Sequence, residues 1–179
     1  GYYDDAVEKL GDHDPFGGLR GGKYSLFEAG TRVPFITYWK GKIKPQVSNE
    51  LVTQIDFLES FSSLIGSGIN SKDGFDLSDV FFRNKGKGRT EFVLEATSRT
   101  AFRQNNWVMI PPYKGPALNN SVNIEVGNSK KYLLFDLDTD LAQKNDLSKK
   151  YPEKLQEMIK RYGEITGDDL GEVEELILE

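Results

Sequence analysis

The sequence predicts two kinds of structure in succession: the C-terminal end of an α/β domain over residues 1–80, and a small α+β subdomain over residues 81–179. Three observations predict this. An apolar, β-branched run at 33–39 precedes a helical pattern, four strand-like segments lie between residues 91 and 137, and an amphipathic pattern begins at Pro152. The hydrophobic fraction of 37%, including 12% aromatic residues, is sufficient for a packed core in a chain of 179 residues.

Composition excludes several classes of function. A net charge of -5 argues against a general nucleic-acid binder, which needs an excess of basic residues to neutralise phosphates. Without cysteine, the chain itself cannot supply disulfides, thiolate metal ligands or a cysteine nucleophile. No apolar run is long enough for a membrane span, and no signal-peptide layout is present. A polar start without an initiator Met predicts that the chain was cut from a longer protein.

The first half predicts a loop, a strand and a helix in that order. Residues 1–32 are rich in glycine and predict a long, shaped loop. Residues 33–39 predict a buried strand at the edge of a larger sheet, with Pro34 near its start. Asp56 and Glu59 resemble a capping pair, and an apolar face at helical spacing continues to the stop at Gly66. That face comprises Phe57, Phe61, Leu64 and Ile65.

The second half predicts a sheet covered by a helix. Polar, glycine-rich residues 66–90 predict the connection between the two parts. Residues 91–96, 106–110, 122–126 and 132–137 predict a small antiparallel sheet. Pro152 predicts the first turn of a C-terminal helix that packs on this sheet. Its apolar face comprises Tyr151, Leu155, Met158, Ile159 and Tyr162. The acidic tail from 164 to 179 predicts a solvated or frayed helix.

The residues with the clearest chemical role lie in the glycine-rich segment 17–34. Between residues 16 and 44 there are six basic residues and one acidic residue, so this stretch is cationic inside an acidic chain. A glycine-lined backbone lets amide groups approach an anion closely, and the ammonium of Lys23 supplies a compact positive charge. The segment therefore predicts contact with a tetrahedral oxyanion.

A nucleotide-binding P-loop is the first alternative for this segment. Gly17, Gly22 and Lys23 have the required spacing, but Tyr24 stands where a serine or threonine would hold magnesium. The preceding residues 6–15 are charged and interrupted by Gly11 and Pro15, so the leading strand of a P-loop is missing. We reject the nucleotide interpretation.

A second interpretation comes from a longer pattern. The run Gly21-Gly22-Lys23, followed by Glu28-Ala29-Gly30-Thr31-Arg32-Val33-Pro34 and by Trp39-x-Gly41, resembles the C-terminal signature of type I, formylglycine-dependent sulfatases. Asp56 and the later segment Tyr132-Leu133-Leu134-Phe135-Asp136-Leu137, with Asp140, Asn145 and Leu147, extend the resemblance over nearly the whole chain. Departures such as Leu141, where the family usually has proline, fall at structural positions.

The resemblance implies an arylsulfatase-like member of the alkaline-phosphatase superfamily, in which the lysine of the motif contacts a sulfate ester. It implies calcium and a formylglycine supplied by upstream parts of the protein, since the Cys/Ser-x-Pro-x-Arg segment is missing here. The implied partners are a sulfated small molecule or glycan and the remainder of the same protein, in the periplasm or outside the cell. On this basis the chain alone should be inactive.

Six residues are the candidates for the site. Lys23 is expected to be catalytic, by contact with the sulfate, and His13 and Arg20 are expected to bind substrate. Arg20 has an equally good alternative in a backbone or carboxylate partner. Structural roles are expected for Glu28 and Arg32, as an ion pair, and for Gly30, in a backbone conformation closed to other residues.

Other candidate residues favour ordinary roles. Asp136, Asp138 and Asp140 match the opening of an EF-hand loop, but Leu141 occupies its glycine position, so no metal ligand is assigned in this chain. Trp107 near Arg99 and Arg103 suggests carbohydrate stacking, although a core position in the small sheet is the favoured interpretation.

Two further functions remain open. One is a module that binds sulfated carbohydrate without cleaving it, supported by the Lys23 loop and nearby aromatic residues. The other is a related phosphatase or phosphodiesterase, which would carry a different nucleophile upstream.

Overall fold

The structure is a computed structural model that describes residues 14–69, 71–83, 85–121 and 123–167. These residues form two compact units: the first contains 14–33 and 91–167, and the second contains 34–90. The domain limit predicted at residue 80 concerns the longer protein and remains a prediction. No helix within the described ranges has the length and apolar character that a membrane span requires.

A four-stranded antiparallel sheet is the centre of the first unit. Its strands are β1 (Glu91–Ala96), β2 (Arg99–Gln104), β3 (Trp107–Ile110) and β6 (Leu133–Asp136), in the order β1-β2-β3-β6. Two shorter strands, β4 (Leu118–Asn119) and β5 (Ile124–Glu125), form a separate antiparallel pair. The predicted small antiparallel sheet is therefore present.

Strand β2 was not predicted. The turn between β1 and β2 contains Thr97 and Ser98, which have φ values of 49° and 61°. Two consecutive left-handed residues make a tight hairpin turn, but Asn-Gly or Asp-Gly is the usual sequence signal for it. Within β2 only Ala101 and Phe102 are apolar, so the segment lacks a strand pattern. The strand predicted at 122–126 is correct only for Ile124–Glu125, and Val122 lies outside the described residues.

The C-terminal helix packs on one face of the four-stranded sheet, as predicted. This helix, Pro152–Thr166, buries Met158 and Tyr162 against Phe102, Met109 and Leu134. Trp107 is partly buried in the same cluster and meets the ring of Tyr151 edge to face, which agrees with its predicted packing role. Alternation along the strands gives the sheet a second apolar face.

The second face of the sheet is covered by the segment that contains the sequence motif. Leu26 and Phe27 are buried there with Ala101, Val108 and Phe135. They directly precede helix α1, Glu28–Thr31. The motif and the small sheet thus share one hydrophobic core, although more than 60 residues separate them in sequence.

The second unit contains a 3-10 helix (Gln54–Asp56) and two α-helices, α2 (Phe57–Ile65) and α3 (Ser78–Arg83). The predicted helix and its end at Gly66, which has φ 67°, are confirmed. Its predicted capping was wrong, because the Asp56 side chain makes no capping hydrogen bond to α2. The carboxylate instead accepts a hydrogen bond from the Thr53 amide and forms an ion pair with Arg89.

Two segments of this chain leave apolar residues exposed. Residues 33–39 form no strand, and Ile36 and Tyr38 are 87% and 83% exposed. A strand needs a neighbour for its backbone hydrogen bonds, and no segment of the described ranges pairs with this one. The apolar face predicted for α2 is also largely exposed. The helix buries Ser60 and Ser62, and the Ser60 hydroxyl donates to the Phe75 carbonyl.

Candidate functional site

Lys23 lies at the tip of a tight turn. The amide of Ser25 donates to the carbonyl of Gly22 at 3.0 Å, so Lys23 and Tyr24 are the two central residues. Tyr24 has φ 74°, whereas Lys23 is not in the left-handed region, which is the pattern of a type II turn. The Lys23 side chain is half-buried, and its Nζ lies 5.0 Å from the centroid of the Tyr24 ring.

Glycines make this turn compact. A Cβ on Gly22 would lie 2.7 Å from Cδ1 of Ile124, and one on Gly21 would lie 2.3 Å from the Ser25 hydroxyl oxygen. Gly21 also has φ 86°, a conformation that residues with side chains rarely adopt. The turn therefore lies in close contact with the Ile124 side chain of strand β5, and the backbone conformation at Gly21 favours glycine.

Gly30 packs against the backbone of the same turn. Its backbone is not in the left-handed region, so the expected reason for this glycine, an otherwise closed conformation, was wrong. A Cβ at this position would lie 2.2 Å from the carbonyl oxygen of Ser25 and 2.6 Å from that of Gly22. Gly30 is required because helix α1 passes too close to the Lys23 turn for any side chain.

Glu28 is the charged centre beneath this turn. Its carboxylate is buried, and Nε of Arg32 donates to it at 2.7 Å, so the predicted ion pair is present. Arg103 from strand β2 also approaches it, with Nη1 at 3.8 Å. Burial lowers the pKa of Arg103, although the negative charge of Glu28 opposes that shift. Two guanidinium groups therefore face the Glu28 carboxylate, and the charge of Asp138 also acts on Arg103.

Arg20 is held by the fold on three sides. It forms an ion pair with Glu125, donates from Nη1 to the carbonyl of Gln143 at 2.9 Å, and stacks 4.1 Å from the centroid of the Phe27 ring. This is the alternative that the sequence left open for Arg20. Direct contact between Arg20 and a substrate stays a prediction.

Gln143 belongs to the site although sequence reasoning missed it. Its side-chain Oε1 accepts a hydrogen bond from the Glu28 amide at 2.7 Å, and the residue is fully buried. It lies in a polar, turn-rich segment between Asp140 and Asn145, and such a composition is typical of an exposed loop. No local pattern could have identified it, because its partners are more than 100 residues away in sequence.

The remaining candidates have separate outcomes. His13 lies outside the described residues. The Asp136 carboxylate accepts hydrogen bonds from the Asp138 amide and the Thr139 hydroxyl, which gives it a role in the turn. Within the described ranges no three carboxylate or imidazole side chains are placed to hold a metal ion. The calcium that the resemblance implies therefore finds no matching ligand set in this part of the chain, and we assign it no step here.

Comparison with known proteins gives a consistent picture. Residues 2–67 match the family model described as Sulfatase, and this range includes all six candidate site residues. Over 162 residues the chain is 35% identical to an N-acetylgalactosamine-6-O-sulfatase of Bacteroides thetaiotaomicron, an alignment that covers 88% of the chain and 32% of that relative. It is 41% identical to human Arylsulfatase A over 64 residues, which are 35% of the chain and 13% of that protein.

Solved structures with a similar fold are also sulfatases or come from work on glycosaminoglycan metabolism. A structure from work on the metabolism of multiple glycosaminoglycans by Bacteroides thetaiotaomicron superimposes with a TM-score of 0.84 at 32% identity, covering 92% of the chain and 35% of that protein. The PsFucS1 sulfatase from Pseudoalteromonas sp. has the same fold, with a TM-score of 0.65 at 21% identity, over 90% of the chain and 34% of that protein. The chain thus spans between 13% and 35% of the length of these proteins.

Proposed function

The chain belongs to the sulfatase family, and we propose that the protein of which it is part hydrolyses sulfate monoesters, with Lys23 contacting the sulfate group. We also propose that the chain is the C-terminal part of that protein. In this proposal, residues 1–80 complete an alkaline-phosphatase-like α/β domain, and residues 81–179 form the small α+β subdomain. The family match over residues 2–67 and the separate sheet that begins at Glu91 support this division.

The observation that carries the proposal is the rigid placement of Lys23. Its turn is pressed against Ile124 on one side and against Gly30 on the other, so the base of the lysine side chain has little freedom to move. A positive charge that is already in position stabilises the negative charge of a transition state without a reorganisation of the protein during the reaction. The buried ion pair of Glu28 and Arg32 holds helix α1 beside this turn.

In sulfate-ester hydrolysis the bond between sulfur and the alcohol oxygen breaks. The oxygen of water ends on sulfur, and the alcohol leaves with a proton. Negative charge grows on the leaving oxygen as this bond breaks, and an ammonium next to the sulfate offsets that charge. Lys23 holds this position in our proposal, while Glu28, Arg32 and Arg103 keep helix α1 in place behind it.

The nucleophile and the metal belong to other parts of the longer protein in this proposal. The resemblance implies formylglycine as the nucleophile and calcium as a cation at the sulfate. In the proposal, the residues of this chain bind and orient the anion.

Sulfated glycans or aryl sulfates are the proposed substrates. The relative that aligns with 88% of the chain is named as a sulfatase of N-acetylgalactosamine 6-O-sulfate, which supports a sulfated sugar. We propose the periplasm or the cell exterior as the location, where such glycans are accessible. His13 and Arg20 remain proposed substrate contacts.

The first prediction tests Lys23 in the complete protein. Lys23→Ala removes the positive charge at the sulfate, so kcat/KM for a chromogenic aryl sulfate should fall by about 10²–10³. Release of inorganic sulfate from 6-O-sulfated N-acetylgalactosamine should fall in parallel. Lys160→Ala is the matched control, because it removes one exposed lysine from the C-terminal helix and should change turnover by less than about twofold.

Three outcomes would contradict the proposal. Full turnover by Lys23→Ala would remove the lysine from the mechanism. Binding of sulfated sugar without release of sulfate would favour a carbohydrate-binding module. Faster hydrolysis of the corresponding phosphate ester would indicate the related phosphatase or phosphodiesterase.

A further inference from the structure

Gln143 connects both ends of the loop that carries Lys23. We propose that Gln143 is a positioning residue for Lys23, and this inference rests on the proposed sulfatase function. Its side chain fixes the exit of the loop at Glu28, and its backbone carbonyl fixes the entrance at Arg20. The loop between these two contacts contains the Lys23 turn.

The two hydrogen bonds of Gln143 have good geometry. Oε1 accepts from the Glu28 amide at 2.7 Å, and the Gln143 carbonyl accepts from Nη1 of Arg20 at 2.9 Å. Arg20 in turn accepts a hydrogen bond, through its own carbonyl, from the Ala29 amide at 3.1 Å. Entrance and exit of the loop are therefore tied to each other and to the same buried glutamine.

Helix α1 depends on this outside contact. It contains only four residues, Glu28–Thr31, and Phe27 at its N-cap provides no side-chain hydrogen bond. The first amides of a helix have no partner inside the helix, and so short a helix is unstable in isolation. The side-chain oxygen Oε1 of Gln143 supplies an acceptor for the Glu28 amide, which is the first of these amides.

Gln143 itself sits at a position where glutamine is an unfavourable choice. Its φ is 52°, in the left-handed region that favours glycine, and its side chain is fully buried. Its Nε2 has no hydrogen-bond partner within the described ranges. A strained backbone and an unpaired buried donor both oppose stability, and functional sites are where folds retain such costs. This combination favours positioning of the loop over stabilisation of the fold.

The consequence for catalysis follows from the contacts of Gly30 and Glu28. If the Glu28 amide loses its acceptor, α1 can shift, and the carbonyls of Gly22 and Ser25 that pack against Gly30 shift with it. Those two carbonyls flank the turn formed by Lys23 and Tyr24. A displacement of about 1 Å at a catalytic group is enough to reduce the rate by about two orders of magnitude.

The test is a double-mutant cycle in the complete protein. Gln143→Met keeps the side-chain volume and removes the acceptor. It should lower kcat for aryl sulfate about 10-fold to 100-fold in the wild-type background, with a smaller effect on KM. In the Lys23→Ala background the same substitution should lower kcat by less than about threefold, because the residue acts through Lys23.

Hydrogen exchange gives a readout that does not depend on activity. In Gln143→Met, amides of residues 20–32 should exchange at least about 10-fold faster, while those of residues 91–110 in the sheet should keep their wild-type rates. Gln143→Glu keeps an acceptor oxygen at the same position, so it should restore most of the protection of residues 20–32. Gln143→Leu, which also lacks the acceptor, replaces Gln143→Met as the test variant if Gln143→Met does not fold.

The results separate this inference from the proposed function. An inactive wild-type protein would reject the sulfatase proposal, and full activity of Lys23→Ala would remove the lysine from the mechanism, whereas exchange at residues 20–32 would still test the contact of Gln143 with the loop. Equal losses of kcat for Gln143→Met in both backgrounds, or unchanged exchange at residues 20–32, would overturn the positioning role of Gln143. Failure of Gln143→Glu to restore protection would overturn the role of the acceptor oxygen.

Discussion

Three charged residues are buried within the described ranges, namely Glu28, Asp56 and Arg89, and each has an oppositely charged partner in its own unit. Glu28 is paired with Arg32 beside the Lys23 turn. Asp56 and Arg89 are paired with each other in the second unit, where the Asp56 carboxylate also accepts from the Phe75 amide at 2.9 Å. Pairing is the condition for burial, since an isolated charge is strongly disfavoured away from water.

The pKa of Asp56 is set by two opposing effects, its burial and its hydrogen-bond partners. Burial alone would raise the pKa of this carboxyl, but hydrogen bonds from Arg89, Phe75 and Thr53 outweigh burial and hold the pKa below its ordinary value. The ionised form is therefore the form that the folded protein stabilises. This contribution is present above the pKa of the unfolded chain and is lost as the pH falls through the lower pKa of the folded chain.

A second prediction concerns this pair. Asp56→Ala leaves Arg89 buried without its carboxylate, so the free energy of unfolding should fall by about 3–5 kcal/mol at neutral pH. The exposed pair of Asp79 and Arg83 is the matched control, and Asp79→Ala should cost less than about 1 kcal/mol. Urea unfolding measures both, and equal losses would contradict the difference between buried and exposed pairs.

The same variant tests the effect of pH. In the wild type, the free energy of unfolding should decrease as the pH falls from neutrality to below about 4, the ordinary pKa of an aspartate. This decrease should be smaller in Asp56→Ala, because the titrating group is absent. An identical acid dependence in the two proteins would show that Asp56 makes no such contribution.

At the scale of elements, the C-terminal helix is attached to the sheet by apolar packing and by a small hydroxyl network. Met158 and Tyr162 are both buried against the sheet. The Tyr162 hydroxyl is hydrogen-bonded to that of Thr100, and the Tyr113 hydroxyl accepts from the Thr100 amide at 2.8 Å. Burial raises the pKa of Tyr162 to about 12, since its phenolate would lose water without a cationic partner in this network.

A third prediction follows from the raised pKa of Tyr162. Between pH 10 and 12 the unfolded tyrosine releases its proton while the folded one retains it, as its ordinary pKa is about 10 and its folded value about 12. The free energy of unfolding should therefore fall over this interval, by up to about 2 kcal/mol from this residue. Unfolding with urea at each pH should show a shallower decline in Tyr162→Phe.

Met158→Ala supplies the control for the helix. It should lower the free energy of unfolding by about 2–5 kcal/mol at every pH, because it leaves a cavity against the sheet. The dependence on pH should keep the wild-type slope, since no titrating group is removed. A wild-type slope in Tyr162→Phe as well would contradict the assignment of the alkaline loss to Tyr162.

At the scale of the whole molecule, the chain supplies one part of the proposed site. It carries Lys23 and the residues that hold it, and it spans 32% of the N-acetylgalactosamine-6-O-sulfatase relative. Residues 33–39 and the outer face of α2 leave large apolar side chains exposed, which include Phe35, Ile36, Tyr38, Phe61 and Ile65. The proposed nucleophile and calcium ligands belong to the rest of the protein.

A further prediction belongs to this scale. The purified 179-residue chain should release no sulfate from a chromogenic aryl sulfate, because it carries the proposed sulfate-contacting Lys23 but no formylglycine precursor segment. The complete protein should turn the same substrate over under the same conditions. Turnover by the isolated chain would refute the proposal that the nucleophile lies in another part of the protein.

Local sequence was sufficient wherever a structure depends on neighbouring residues. The pattern at 57–65 predicted α2 and its end at Gly66, Pro152 predicted the start of the C-terminal helix, and the motif around Lys23 predicted the family. It also predicted the ion pair of Glu28 with Arg32, although not the short helix that brings these two residues together. Hydrophobic periodicity, turn residues and motifs each depend on residues that are only a few positions apart in the sequence.

Tertiary structure alone decided the contacts between distant segments. It placed Gln143 beneath Glu28, brought Arg103 to the same carboxylate, and made Gly30 necessary through contact with the Lys23 turn. It also formed β2 from a segment without a strand pattern. The physical reason is common to all of these cases: strand pairing and burial depend on which remote residues come to lie alongside, and a single stretch of sequence does not contain that information.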